Sequence, residues 1–92
     1  MQEVIIENGV MRIEQGAFKS ADSQEVTIPE SVEYIGEYAF YSTNLRTITV
    51  KNKTAEICDN AFYLGSRVTF NVIENSTAYE LAVKNGVKYN LI

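Results

Sequence analysis

The chain has 92 residues, 46% of them hydrophobic and 22% charged, with a formal net charge of -4 and a pI near 4.7. That length and balance describe one folded domain over residues 1–92, not a disordered chain. The acidic balance repels phosphate, so neither nucleic acid nor an anionic membrane surface is an expected partner. No stretch approaches the roughly 20 apolar residues of a membrane span. A single cysteine, Cys58, excludes an internal disulfide. Met1–Val4 shows neither a basic region nor an apolar run, so no signal peptide is read there.

One spacing organises the chain. Ala17-Phe18, Ala39-Phe40 and Ala61-Phe62 recur every 22 residues. The same step joins Ile13, Ile35 and Ile57, joins Val4, Val26, Ile48 and Phe70, and joins Ile6, Ile28, Val50 and Val72. Several apolar columns obeying one period mark a repeat architecture, with units at about 4–25, 26–47 and 48–69 and a different closing unit at 70–92. One such coil cannot bury its apolar side alone; stacked coils form a continuous core.

The first coil opens with a strand at Val4–Ile6, whose first and third residues point inward. Asn8-Gly9 marks a turn, Val10 and Ile13 form an apolar step, and Ala17-Phe18 falls in a short helical turn over Gln15–Lys19. The second coil repeats this with Val26–Ile28, Pro29, Val32 with Ile35, and a helical turn over Glu37–Tyr41. The third has Ile48–Val50, Thr54 in place of the valine, Ile57, and a helical turn over Asp59–Tyr63. In the fourth, Phe70 and Val72 keep the strand columns, but no Ala-Phe pair follows. Ser76 to Gly86 reads as a helix, with Ser76 or Thr77 as N-cap, Thr77 and Glu80 as a capping box, and Gly86 after its end. Ala78, Leu81 and Ala82, with Tyr79, give that helix an apolar side, and Val87–Ile92 alternates as a last strand. This closing unit predicts a finished C-terminal end. The first coil has no such cap, so upstream repeats or a second copy are expected over Val4, Ile6, Val10, Ile13 and Phe18.

The stretch Val26-Thr27-Ile28-Pro29-Glu30-Ser31-Val32-Glu33-Tyr34-Ile35-Gly36-Glu37-Tyr38-Ala39-Phe40 resembles one repeat of the BspA-type leucine-rich repeat family, also called the Treponema pallidum type. The family pattern is TIP-x-S-V-x-x-I-G-x-x-A-F. The closing unit is similar to the S-x-A-x-x-Y/L-A-x-x-N-G helix that ends such arrays. The resemblance implies an α/β solenoid: a right-handed leucine-rich-repeat superhelix with short parallel strands, short helical turns and a C-terminal capping helix plus strand. It also implies a non-enzymatic protein-binding or adhesion role in a bacterial surface or secreted protein. The period of 22 departs from the commoner 23. Ala21, Thr43 and Gly65 replace a frequent connector cysteine, and only Leu45 keeps the connector leucine, with Ser23 and Arg67 at the equivalent places.

Catalytic chemistry finds little support. There is no histidine, the commonest general base and metal ligand. Cys58 follows a core isoleucine and reads as a half-buried structural thiol. The twelve carboxylates are dispersed, and Asp22-Ser23-Gln24-Glu25 is too sparse for a calcium loop. No cofactor is implied. Asn52-Lys53-Thr54 and Asn75-Ser76-Thr77 match the glycan acceptor pattern, a match the sequence also explains by chance.

Two surfaces are candidates for a protein or glycan partner. The outward strand positions are Glu3, Ile5, Glu25, Thr27, Thr47, Thr49, Thr69 and Asn71; threonine also suits exposed strands for structural reasons. Tyr41 and Tyr63 stand one coil apart with Tyr34 and Tyr38 nearby, either as contact residues or as cover for the core edge. Two other functions stay open: a spacer or end cap, and a hydrolase of small substrates. The second needs a deep carboxylate-lined pocket.

Overall fold

The computed structural model describes residues 3–19, 24–41, 45–63 and 67–92. The connector positions Ala21, Ser23, Thr43 and Gly65 lie outside them, as do the side chains of residues 3–5. In chain order the elements are β1 (Glu3–Ile5), β2 (Arg12–Ile13), β3 (Glu25–Ile28), β4 (Tyr34–Ile35), β5 (Thr47–Val50), β6 (Glu56–Ile57), β7 (Thr69–Val72), α1 (Thr77–Asn85) and β8 (Lys88–Leu91). Strands β1, β3, β5, β7 and β8 form one parallel sheet in that order. Its register is the repeat itself: Val4 lies beside Val26, Val26 beside Ile48, and Ile48 beside Phe70. Parallel strands one coil apart, linked by long crossovers, give the solenoid that the resemblance implies.

A second parallel sheet, β2-β4-β6, runs along the stack at the apolar step. Ile13, Ile35 and Ile57 are its in-register column. The two-residue strands are too short to show alternation, so periodicity marks them as an apolar step alone. Their backbone groups bond between coils, as Gly36 N–H donates to Ile13 O at 2.8 Å and Cys58 N–H to Ile35 O at 3.1 Å.

The Ala-Phe segments are turns, but not turns of helix as expected. Their local bonds close over three residues, from Ala17 to Glu14, Ala39 to Gly36 and Ala61 to Cys58. The next amide points to the neighbouring coil instead. Phe18 N–H donates to Ala39 O and Phe40 N–H to Ala61 O, each at 2.8 Å. An amide bonded to another coil cannot continue an i→i−4 ladder. Left-handed residues at Gly16 (φ 67°) and Tyr38 (φ 57°) break the spiral at the same column position.

Between the sheets and turns lies the core. Val26, Ile28, Val32, Ile35, Ile48, Val50, Phe70 and Val72 are all buried. Phe18, Phe40 and Phe62 stack ring on ring, with centroids 5.2 and 5.3 Å apart and planes within 9°. Phe70 meets Phe62 edge-on and ends this ladder. Where the repeat pattern fails, the next residue fills the gap. Thr54 is exposed and Ala55 is buried; Arg67 is exposed and Val68 is buried.

Helix α1 buries Ala78, Leu81 and Ala82. Its N-cap is Ser76, whose hydroxyl accepts from Tyr79 N–H at 3.0 Å. The Thr77–Glu80 capping box is therefore absent: Thr77 is already helical, and its hydroxyl donates to Ala55 O at 2.6 Å in the coil below. Gly86 closes the helix at φ 67°, donating to Ala82 O and Val83 O. Strand β8 then extends the large sheet beside β7. The closing unit is thus a helix followed by a strand, as expected, and all four β8 residues are exposed.

Candidate interaction surfaces

The burial pattern of β3, β5 and β7 alternates strictly between half-buried and buried. Alternation follows from the pleat, which sends Glu25, Thr27, Thr47, Thr49, Thr69 and Asn71 to the outer face of the sheet. These six predicted residues do come together in two register rows. One row runs Glu25, Thr47, Thr69, Lys88; the other runs Thr27, Thr49, Asn71, Asn90. In the second row Asn90 Nδ2 donates to Asn71 Oδ1, and Asn71 Nδ2 donates to Thr49 Oγ1, both at 3.2 Å. The polar groups are thus partly spent on one another. Sequence columns foresee the threonines but not Asn90 and Lys88, because β8 joins at an offset of 19 residues instead of 22.

Tyr41 and Tyr63 belong to a different part of each coil, the turn after the second sheet. Their rings meet edge-to-face at 5.4 Å, and Tyr38 meets Tyr41 the same way at 5.1 Å. All three are exposed. The φ of 57° at Tyr38 is the conformation Gly16 adopts one coil earlier, and it costs a side-chain-bearing residue of order 1–2 kcal/mol. The tyrosine itself does not signal this; the only hint in the sequence is its column, which holds Gly16 one coil earlier and Asn60 one coil later.

On the second sheet, Arg12 lies over the Tyr34 ring at 4.4 Å and pairs with Glu14 at 2.9 Å. The hydrogen bond to Glu14, then its charge, raises the Arg12 pKa further above its already high value. The Tyr34 hydroxyl lies 3.8 Å from Cys58 Sγ. That contact, then the charge interaction with the same thiol and burial, pushes the phenol above its ordinary range. Cys58 itself is half-buried.

The two glycan acceptor motifs differ sharply. Asn52 uses both amide hydrogens on the preceding coil, to Glu30 O at 2.7 Å and Val32 O at 2.8 Å, so a sugar on that nitrogen would break at least one bond. Asn75 is exposed in a left-handed turn (φ 63°) before the helix. Among the described residues no three His, Cys, Asp or Glu converge as a metal site. A shallow hollow of about 510 Å³ is lined mainly by Ile6, Val10, Ile13, Ala17 and Phe18 at the first coil. No helix among the described residues is long and apolar enough to cross a membrane.

Searches of curated proteins and of solved structures each returned no match. The family model described as the BspA type leucine rich repeat region (6 copies) matches residues 1–83, and the in-register columns, the Ala-Phe turns and the Thr27-Ile28-Pro29 strand end are its structural counterpart, so the chain belongs to the BspA-type leucine-rich repeat family.

Proposed function

We propose that the chain is a non-enzymatic interaction or adhesion module that engages a protein partner, or a glycan carried on one, through the outer face of its large sheet. The family suggests protein interaction and is typically non-enzymatic. One observation carries the choice of face: Thr27, Thr47, Thr49 and Thr69 stand in register on the outer face of the sheet, each half-buried. Rigid, closely spaced hydroxyls lose little entropy when they meet a partner. Glu25 and Asn71 border this patch, and Tyr41 and Tyr63, with Tyr38, form the secondary contact area. Residues 1–92 act as one unit in this reading. Proteins of the family are generally found at bacterial surfaces or secreted, and we place this chain there.

The bonded row Asn90–Asn71–Thr49 favours a second reading, a spacer or end cap whose polar face only holds strands together. The two separate by experiment. Capture on an array of immobilised surface proteins and glycans is measured for the chain and for Thr27→Lys/Thr47→Lys/Thr69→Lys and Tyr41→Ala/Tyr63→Ala variants. A module loses its captured partner with the lysine variant while Lys51→Ala binds normally. Equal capture by all variants rejects the sheet face and leaves the spacer.

A further inference from the structure

Asn8-Gly9 and Asn85-Gly86 are both asparagine-glycine pairs. Such a pair carries its own chemistry. The glycine nitrogen has no β-carbon beside it and, once its proton is lost to solvent base, attacks the side-chain carbonyl carbon of the asparagine. A C–N bond forms there and closes a succinimide ring. The carboxamide C–N bond breaks, and the nitrogen takes up a proton and leaves as ammonia. Water then opens the ring at either carbonyl, giving aspartate or isoaspartate. Asparagine plus water thus becomes the acid plus ammonia, and no oxidant or reductant takes part.

Both asparagines are exposed, so exposure does not separate them. Hydrogen bonding does. Asn85 is the last residue of α1, and its Nδ2 donates to Leu81 O at 2.9 Å. The Gly86 N–H donates to Ala82 O and Val83 O. Attack at Asn85 has to break these bonds and uncoil the helix end.

Asn8 lies in a turn. Val10 N–H donates to Glu7 O at 3.2 Å, which makes Asn8 and Gly9 the central residues of a β-turn, with Gly9 at φ 106°. The Asn8 side chain makes no hydrogen bond among the described residues. What holds the attacking nitrogen is the next coil: Gly9 N–H donates to Ser31 Oγ at 3.0 Å, and that hydroxyl donates to Val10 O at 2.8 Å. Asn8 and Ser31 also border an open hollow of about 490 Å³, which admits water. Exposure belongs to the turn and not to the coil's place in the stack. Glu30, at the same position in the second coil with a coil on either side, is exposed as well.

We infer that Asn8 is a site of spontaneous deamidation, and that the Ser31 hydroxyl restrains it. The Ser31 bond fixes the direction of the Gly9 nitrogen, and a proton held by an acceptor is harder to lose to solvent base. Asn8 reacts when that bond opens. Isoaspartate places one more carbon in the main chain between residues 8 and 9, which displaces the Gly9 amide from Ser31. The net charge of -4 becomes more negative by one. Modification therefore loosens the tie between the first two coils, and the loss of ammonia makes it one-way.

The intact chain, held for weeks in mildly alkaline buffer and sampled by peptide mapping with mass spectrometry, tests this. Aspartate and isoaspartate should accumulate at position 8, with Asn85 slower by at least about tenfold because it waits on opening of the helix end. Ser31→Ala should speed the loss of Asn8 about fivefold, the factor one ordinary hydrogen bond is worth, while Asn85 keeps the parent's rate. In guanidinium the two pairs should react alike. An Asn8 that matches or outlasts Asn85 in the folded chain overturns the site, as does a difference that survives in guanidinium. A Ser31→Ala chain whose Asn8 keeps the parent's rate, or whose Asn8 and Asn85 accelerate together, overturns the restraint.

Discussion

Asn52 Nδ2 donates to the backbone carbonyl of Val32 at 2.8 Å, tying the third coil to the second at a point where neither strand reaches. The same nitrogen donates to Glu30 O, and Asn52 Oδ1 accepts from Thr54 N–H. Each coil boundary has such a tie: the Ser31 hydroxyl accepts from Gly9 N–H and donates to Val10 O, and Thr77 Oγ1 donates to Ala55 O. Solenoid stability is roughly a sum of coil terms and boundary terms, so these bonds act on the boundary term.

Replacing Asn52 with Ala leaves two carbonyls and one amide without their side-chain partner. The expected cost is about 1–3 kcal/mol in urea unfolding, given that the site is half-buried. Asn52→Asp keeps the acceptor for Thr54 and removes both donors, so it should be at least as unstable as the Ala variant. An Asp variant as stable as the parent refutes the donor role.

The sequence shows the large sheet, its register and the closing helix because each rests on a column or a cap that one residue can signal. Ile28, Val50 and Val72 share a column, and Ser76 and Gly86 stand at the helix ends. It hides what depends on two coils at once. The second sheet consists of two-residue strands whose bonds are all between coils. The Ala-Phe turns fail to become helix because Phe18 and Phe40 give their amides to the next coil. The threonine face was legible by alternation, but its extension to Asn90 and Lys88 was not, since the helix shortens the last repeat by three residues in register. Tyr38 shows the limit most clearly: its place in the repeat was visible and its left-handed backbone was not.

Gly36 is fixed by a close approach, not by backbone freedom. A β-carbon there would meet Gln15 N at 2.8 Å and Glu14 C at 3.0 Å, both backbone atoms of the preceding coil. Gly36→Ala must push the coils apart where Gly36 N–H bonds to Ile13 O, at an expected cost of about 1–3 kcal/mol. Gly16→Ala has open space but a φ of 67°, and should cost about 1 kcal/mol through backbone strain. Thermal denaturation of the pair ranks the two causes; the opposite order refutes the steric argument.

The phenylalanine ladder predicts a gradient along the stack. Phe40 is buried between Phe18 and Phe62, so Phe40→Ala should cost about 3–5 kcal/mol and unfold a chain of this size. Phe18 has one ring partner among the described residues and is half-buried, so Phe18→Ala should cost about half as much. Chemical denaturation reads this difference. Equal losses would refute the gradient.

Alkaline pH should act through two phenols. Tyr79 is raised above its ordinary value of 10.0 by a hydrogen-bonding contact with Tyr89, then by the charge interaction with the same ring and by burial; Tyr34 is raised by Cys58. In each case the fold favours the neutral phenol. The stabilisation is therefore fully present below the unfolded value and is lost as pH rises through the higher folded value. Unfolding midpoints should not vary with pH through these groups below about pH 9 and should fall above about pH 10. The tyrosinate absorbance of the folded chain should extend to higher pH than that of the chain in denaturant, and Tyr79→Phe should shorten that extension. Superimposable titrations of the folded and denatured chain would show that neither contact holds its phenol in solution.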